Sequence, residues 1–421
     1  MDREPPEPPT NKRPDAADTG PPEVRIPAGE AAHQVSRRSF LGMLGLGAGT
    51  VAVVGAGGLT WRAVDQGVFA TGTGSAYAAW DQWNPPGGNV LNLVRAAVLA
   101  ANAHNTQPWR FRVSPTRIDL FADTARNIGT IDPLRRELGL SLGCALENLV
   151  LAAPPNGKTA TVTLMPDPSD TTYVARVDLA STPAAASPLF AAIPDRHTNR
   201  AAYHRGRPVA RGTLDGLKGL IDTADTDVVW FTTAEQTRAF GDLTVRATEA
   251  IIADPQQAAD DYAWYRATWS ELQAKKDGIT IDAAGLAPLI RTLGKLLPAS
   301  RGQNDDAWLR ATRDTQVPTA AAFGTLVVRD PLDSAQRLQT GRIWQRMHLW
   351  ATTKGLAMQP LNQVEERVDR ERTARLSPEF SHAMAGMLPA GWHAVFSFRI
   401  GYPTADALPS PRRPVEHVVR R

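Results

Sequence analysis

Ala103-His104-Asn105-Thr106-Gln107-Pro108-Trp109-Arg110-Phe111 is the most specific string in the chain. Upstream, Asn89 can cap a helix whose apolar residues Leu91, Val94, Val98 and Ala101 recur at helical spacing. Pro108 ends anything helical, and the chain then enters an extended segment. The polar residues of the string thus sit where a helix stops. One reading is a plain helix C-terminal turn, with Trp109 as a core anchor. The other is a contact surface for a ligand with alternating donors and acceptors, since Asn and Gln side chains each carry both.

Working outward, Arg117–Ala122 reads as a strand. A helix follows with Leu138, Leu142, Leu146, Leu149 and Ala153 on one face. Two strands come next. In one, Val162 and Leu164 alternate with threonines; in the other, Tyr173, Ala175, Val177 and Leu179 form the inward set. The order then repeats loosely. A helix near 211–222 leads to a strand at Asp227–Phe231, helical material fills 234–276, and a strand follows at Gly324–Val328. A helix around Leu338, Ile343, Met347 and Trp350 precedes a last strand, Ala394–Ile400. The pattern predicts an α+β protein of two related halves, about 89–190 and 191–421. An insert at about 255–318 has no counterpart in the first half. It carries Trp264, Trp269 and Trp308, and such an excursion often serves as a lid.

The 421 residues are 43% hydrophobic and 21% charged, with a formal charge of +3, which fits a globular protein. No Lys/Arg block or nucleic-acid module stands out, so no nucleic-acid partner is expected. The single cysteine, Cys144, excludes an intramolecular disulfide and a cysteine-rich metal site, and its leucine neighbours place it in the core. No Ser-His-Asp set, paired carboxylates or metal-ligand spacing is evident. His204, His348, His382, His393 and His417 are scattered and read as structural or surface residues.

The N-terminus reads differently. Residues 1–35 have too little to bury and are expected to be disordered. Ser36-Arg37-Arg38-Ser39-Phe40-Leu41 resembles a twin-arginine export motif, and Leu41–Thr60 contains no charged residue. That run is about as long as a bilayer crossing requires. Two outcomes compete for residues 36–66: an uncleaved membrane anchor, or an export signal cut after Ala78 in Ser75-Ala76-Tyr77-Ala78. The cut would lie far beyond the apolar run, which favours the anchor. Either way the protein is expected at or beyond the cytoplasmic membrane, with 67–88 as a linker. The glycines at 45, 47 and 49 lie inside the apolar run, without a βαβ unit, and are no dinucleotide fingerprint.

The string 104–111 closely resembles the "HNTQPWRF" motif of the Acg-type branch of FMN-dependent nitroreductase-like proteins. The resemblance implies that Asn105 and Gln107 line the isoalloxazine and ribityl chain, with His104 beside the ring. This chain has Ala101-Asn102 where the family has Pro-Ser, which puts the family's serine contact in question. Asp195-Arg196-His197-Thr198-Asn199-Arg200 resembles the family's Arg-x-Ser/Thr-x-Arg motif. Arg196 and Arg200 are four apart, so on a helical turn they would face one way. With the Thr198 hydroxyl they can bind the FMN phosphate through charge-assisted hydrogen bonds. A solvated arginine loop is the alternative, since Arg205, Arg207 and Arg211 follow. Pro411-Arg412-Arg413-Pro414 resembles a C-terminal family segment that places basic side chains near the phosphate. Gly355–Pro360 matches one that approaches the flavin, through Met358 and Gln359.

The resemblance covers about residues 89–421, less closely at the insert. It implies a nitroreductase-like fold in which two fused halves form an intrachain pseudo-dimer around FMN, so the protein is a pseudo-dimeric monomer or a homodimer. The implied activity is hydride transfer from NAD(P)H through FMN to a small-molecule acceptor such as a nitroaromatic or quinone. No separate Rossmann site for the nicotinamide is present, as in that family. One alternative is an FMN-binding, sequestering protein whose lid stays closed, with Trp264, Tyr265 and Trp269 as the cover. A structural, membrane-tethered protein without flavin is another.

Overall fold

The computed structural model describes residues 62–420. The N-terminal tail and nearly all of the twin-arginine segment lie outside them. Among the described residues no helix is long and apolar enough to cross a membrane.

Helix α1 (Val90–Ala97) starts where the sequence indicates, with the Asn89 side chain accepting from the Leu91 N–H at 2.9 Å. Strands β1 (Trp109–Ser114) and β2 (Arg117–Ala122) form a hairpin, followed by helix α2 (Arg136–Ala152) and strands β3 (Lys158–Leu164) and β4 (Tyr173–Ser181). The second half runs through β5 (Thr226–Phe231), helix α3 (Ala234–Ala253), β6 (Ala322–Val328), helix α4 (Ser334–Thr353), β7 (Ala357–Pro360), helix α5 (Gln363–Ala374) and β8 (His393–Gly401). A last short strand, β9 (Val419–Arg420), ends the described chain.

The two sheets have the same plan. The first is ordered β3-β4-β2-β1-β9 and the second β5-β6-β8-β7. Read from the other edge, the second is β7-β8-β6-β5, so its strands match β3-β4-β2-β1 one for one. All pairs among these eight strands are antiparallel. Each half also places its long core helix between its second and third strands, α2 in one and α4 in the other. The two related halves expected from the order of elements are therefore present.

The halves meet through α2 and α4, and small residues set how close they come. A Cβ on Gly143 would lie 2.1 Å from the Leu338 carbonyl oxygen, and one on Gly341 would lie 2.1 Å from the Leu140 carbonyl oxygen. Each glycine receives the other helix's backbone, the reciprocal pattern of a two-fold interface. Around this crossing, Leu93, Trp109, Leu142, Leu146, Trp344, Phe398 and Ile400 join one shared core. Trp109 is fully buried, so the anchoring role that the plain reading gave it holds. Cys144 is buried in the same core.

Three details depart from expectation. Residues 62–88, read as a linker beyond residue 66, pack against the body. Ala76 and Tyr77 are buried with Leu272 of the insert, and the Ala76 carbonyl accepts the Arg412 N–H at 2.7 Å. The proposed cleavage site after Ala78 is thus folded into the protein. The sequence reading also missed β7, α5 and β9. Finally, Val419–Arg420 pairs in parallel with Phe111–Arg112, so the C-terminus completes the first sheet.

Candidate functional site

A cleft enclosing about 450 Å³, part of it open to solvent, lies where the two halves, the insert and the C-terminal segment converge. The 102–107 loop forms one wall. His104, Asn105 and Gln107 have φ of 48°, 54° and 53°, the left-handed region that side chains other than glycine avoid. The Asn102 side chain holds the loop by accepting the Gln107 N–H at 2.8 Å. Such strain persists only where surrounding contacts over-determine it, and it concentrates at functional sites.

Those contacts show what the motif does. The Asn105 amide donates to the carbonyls of Pro411 at 2.9 Å and Gly278 at 3.2 Å, and its oxygen accepts from Arg412 Nη1 at 2.6 Å. The Gln107 amide donates to the Lys276 carbonyl at 2.8 Å and accepts the Arg413 N–H at 2.7 Å. Two side chains thus tie the first half to the insert and to the C-terminal segment. Asn105 lines the cleft; Gln107 is fully buried behind it. His104 turns away from the cleft and bonds Asp261 of the insert at 2.7 Å. Burial pulls its pKa down, but the Asp261 carboxylate outweighs burial and holds the imidazole above its ordinary value.

The opposite wall is cationic. Arg196, Thr198 and Arg200 all line the cleft, as does Arg412. Residues 196–200 are irregular chain, not a helical turn, so it is not helical spacing that brings the two arginines to one cleft. Gly285 lets the insert press on this path: a Cβ there would lie 2.4 Å from the Arg200 carbonyl carbon. Arg200 Nη1 donates to the Ala283 carbonyl at 3.1 Å. Arg196 Nη2 donates to the Leu99 carbonyl at 3.0 Å, and Arg412 Nη2 to the Ala100 carbonyl at 3.2 Å. The Nε atoms of both Arg196 and Arg412 are buried without a partner.

Among the described residues no Asp or Glu lines this cleft. Burial lowers the Arg196 pKa to about 10; burial, with repulsion from Arg196, lowers that of Arg412 to about 9. Burial lowers Arg200 as well. At neutral pH the arginines are still charged, and among the described residues no carboxylate forms an ion pair with them.

His197 was not singled out in the sequence, though it stands inside the arginine string. Burial, then Arg196 and Arg412, pushes its pKa down to about 3, so the ring is neutral at physiological pH. Trp80 covers it, ring centroids 4.6 Å apart, and the Trp80 N–H donates to the Ser410 carbonyl at 2.8 Å. The Arg412 guanidinium lies 5.0 Å from the same indole. The available signal for Trp80 was three aromatic residues, Tyr77, Trp80 and Trp83, in a stretch too rich in them for a linker.

The remaining expected residues lie elsewhere. Arg413 is outside the cleft lining and donates to the carbonyls of Gln107 and His417, both at 3.2 Å. Met358 belongs to the shared core. Gln359 accepts from Arg399 Nε at 2.7 Å, and neither residue lines the cleft. The insert reaches the cleft through Gly278, Ile279 and Ala283, not through its tryptophans. Trp264 packs on Ile128, Ile131 and Ile251, and Trp269 packs on the 62–88 segment.

No family model matches the chain. It is 40% identical over 132 residues to a protein of Mycobacterium tuberculosis provisionally named an NAD(P)H nitroreductase, covering 31% of this chain and 38% of that one. The chain thus spans well under half the length of that relative. It is 24% identical over 348 residues to an uncharacterized protein of the same organism, covering 78% of this chain and 92% of the other. Solved structures similar to it include an FMN- and NADPH-dependent nitroreductase from a Sphigopyxis strain (15% identity, TM-score 0.35, 55% of this chain and 98% of that one). Another is a nitroreductase with bound FMN from Bacteroides fragilis (13% identity, TM-score 0.32, 54% and 95%). The named relatives to which the chain is similar are nitroreductase-like proteins.

Proposed function

We propose that the chain binds FMN in this cleft and acts as an FMN-dependent oxidoreductase, taking hydride from NAD(P)H and passing electrons to a small-molecule acceptor such as a nitroaromatic or quinone. The observation that carries this reading is the convergence of Arg196, Arg200 and Arg412 on one cleft that no carboxylate lines. Buried charge without a partner is strongly destabilising, so an anionic ligand is the natural complement. The FMN phosphate, near a dianion at neutral pH, has that charge. The names of the relatives support both the cofactor and the donor.

Bound FMN supplies the hydride and electron chemistry. The protein's part is to hold and orient it. Arg196, Arg200 and Arg412, with the Thr198 hydroxyl, are placed to take the phosphate through charge-assisted hydrogen bonds. Neutral His197 under Trp80 supplies a wall without further charge. Asn105 and Gln107 act mainly by fixing the walls, because their amide groups are already committed.

A sequestering role has one observation of its own. The insert is fastened by His104–Asp261 and by the Arg126–Asp277 ion pair, which would keep the cleft's cover closed. An absorbance spectrum of the full chain with FMN, before and after anaerobic NADPH or NADH, separates the readings. Bleaching supports a reductase. Persistent bands with slow FMN exchange favour sequestration. Failure to take up FMN at all would sink the cofactor assignment. The full chain is used because Ala76 and Tyr77 are part of the fold.

A further inference from the structure

We propose that the face formed by residues 62–71 and the helix Pro288–Leu296 rests on an anionic phospholipid surface. Val64, Phe69, Leu286, Leu289 and Leu297 are 65%, 78%, 37%, 64% and 51% exposed, and only Leu332 and Leu376 join them as exposed large hydrophobics among the described residues. The five come from two segments that are bonded together. Arg62 Nε donates to the Leu296 carbonyl at 2.9 Å, and Lys295 Nζ to the Gly67 carbonyl at 3.2 Å and the Thr71 hydroxyl at 2.9 Å. An apolar concentration of this kind marks an interaction surface.

The flanking charge selects the partner. Residues 286–301 contain Arg291, Lys295 and Arg301 and no acidic residue. Lys295 is spent on Asp282 at 2.8 Å, which leaves Arg291 and Arg301, with Arg62 alongside, against one exposed acid, Asp65, in the 62–71 segment. A short amphipathic helix with apolar residues on one side and basic residues beside them suits the headgroup region of an anionic leaflet.

The position of the chain's apolar run points the same way. Leu41–Thr60 carries no charge and, as a helix, would be about 30 Å long, the thickness of a hydrocarbon core. Val64 follows Thr60 by four residues, so it lies within about 14 Å of the run's end even if fully extended. A membrane that takes up the run therefore has this face beside it. Ala76 and Tyr77 are buried and Ala78 is half-buried, so the folded protein disfavours the cut after Ala78 and keeps the run attached.

The test uses the full chain in vesicles of phosphatidylcholine and phosphatidylglycerol, part of the lipid carrying an acyl-chain nitroxide. Cys144 is buried and burial pushes its thiol up to about 12, so an added cysteine takes the label. An environment-sensitive fluorophore is placed at L289C, at L297C as an independent reading, and at T159C on exposed edge strand β3 as control. The expected result is a blue shift and several-fold stronger nitroxide quenching at 289 and 297 than at 159. Equal or absent quenching overturns the proposal. A blue shift already present in detergent and unchanged by nitroxide lipid also overturns it, assigning the face to the 41–60 run or to a second copy.

Discussion

The protein buries two unbalanced groups of charges, and it resolves them in different ways. In the cleft, Arg196, Arg200 and Arg412 converge without an acid. In the second group five carboxyl groups, Asp132, Glu137, Glu365, Glu366 and Asp369, surround one fully buried cation, Arg136, with the buried Arg337 near Asp132 and Asp369. Arg136 bonds Asp369 at 2.8 Å, the Val395 carbonyl at 2.8 Å and Glu137 at 3.4 Å. Asp132 accepts the Glu137 and Leu138 N–H groups at the start of α2, at 3.1 and 2.9 Å. Excess acid can be neutralised by protons: burial raises Asp132 to about 6 and Glu365 to about 7, and burial with repulsion from Glu137 raises Glu366 well above its ordinary value. Excess guanidinium cannot be, because even a lowered arginine stays charged at neutral pH. An acidic surplus can therefore close into a core, whereas a surplus of arginine is left facing a cleft, where the proposed anion would balance it.

The largest effect that would break this contrast is at Arg136. Arg136→Met leaves the carboxyl groups without the cation that bonds Asp369 and Glu137 and should cost about 3–5 kcal/mol or prevent folding, read by thermal melting. A variant of near-parental stability would show that the acidic group needs no counter-ion. The same substitution in the cleft should act oppositely. Arg412→Met or Arg196→Met should weaken FMN binding about 100-fold or more, by fluorescence titration, while the flavin-free protein melts no lower. A large loss of stability with unchanged flavin affinity would make these arginines structural.

A smaller effect concerns pH. Acids with raised pKa hold protons in the folded state that the unfolded chain releases. Their contribution to stability is full below the unfolded value near 4 and is lost as pH rises through about 6 to 7. The protein should thus lose stability between pH 5 and 8, on the order of 2 kcal/mol from Glu365. Glu365→Gln should flatten that slope, as measured by denaturant titration at several pH values. A profile unchanged by E365Q would remove Glu365 from the balance. The smallest effect is Thr198→Ala, which should weaken FMN binding about fivefold by losing one hydrogen bond of about 1 kcal/mol.

Much of the fold was legible because its halves repeat a pattern of apolar periodicity. The leucines of α2 and the alternation in β4 report burial directly. β7 and α5 escaped because β7 is short and α5 carries Glu365, Glu366, Arg367, Asp369 and Glu371 inward, so its face is charged where a core helix is usually apolar. The site was legible in composition more than in role. Arg196, Thr198, Arg200 and Arg412 reach the cleft, but spacing suggested a helical turn that the chain does not form. His104 and Gln107 carry the chemistry of ligand contacts and spend it on Asp261, Lys276 and Arg413, partners distant in sequence that periodicity cannot reveal.

The segment from Pro411 to Arg420 works as a clasp. Arg412 forms part of the cleft wall, and Val419–Arg420 pairs along the edge of β1. The Asn105–Arg412 bond joins residues 307 positions apart. The wall is therefore only as firm as the docking of one short segment. Peeling that segment away would open the cleft while leaving the four antiparallel strands of each sheet paired.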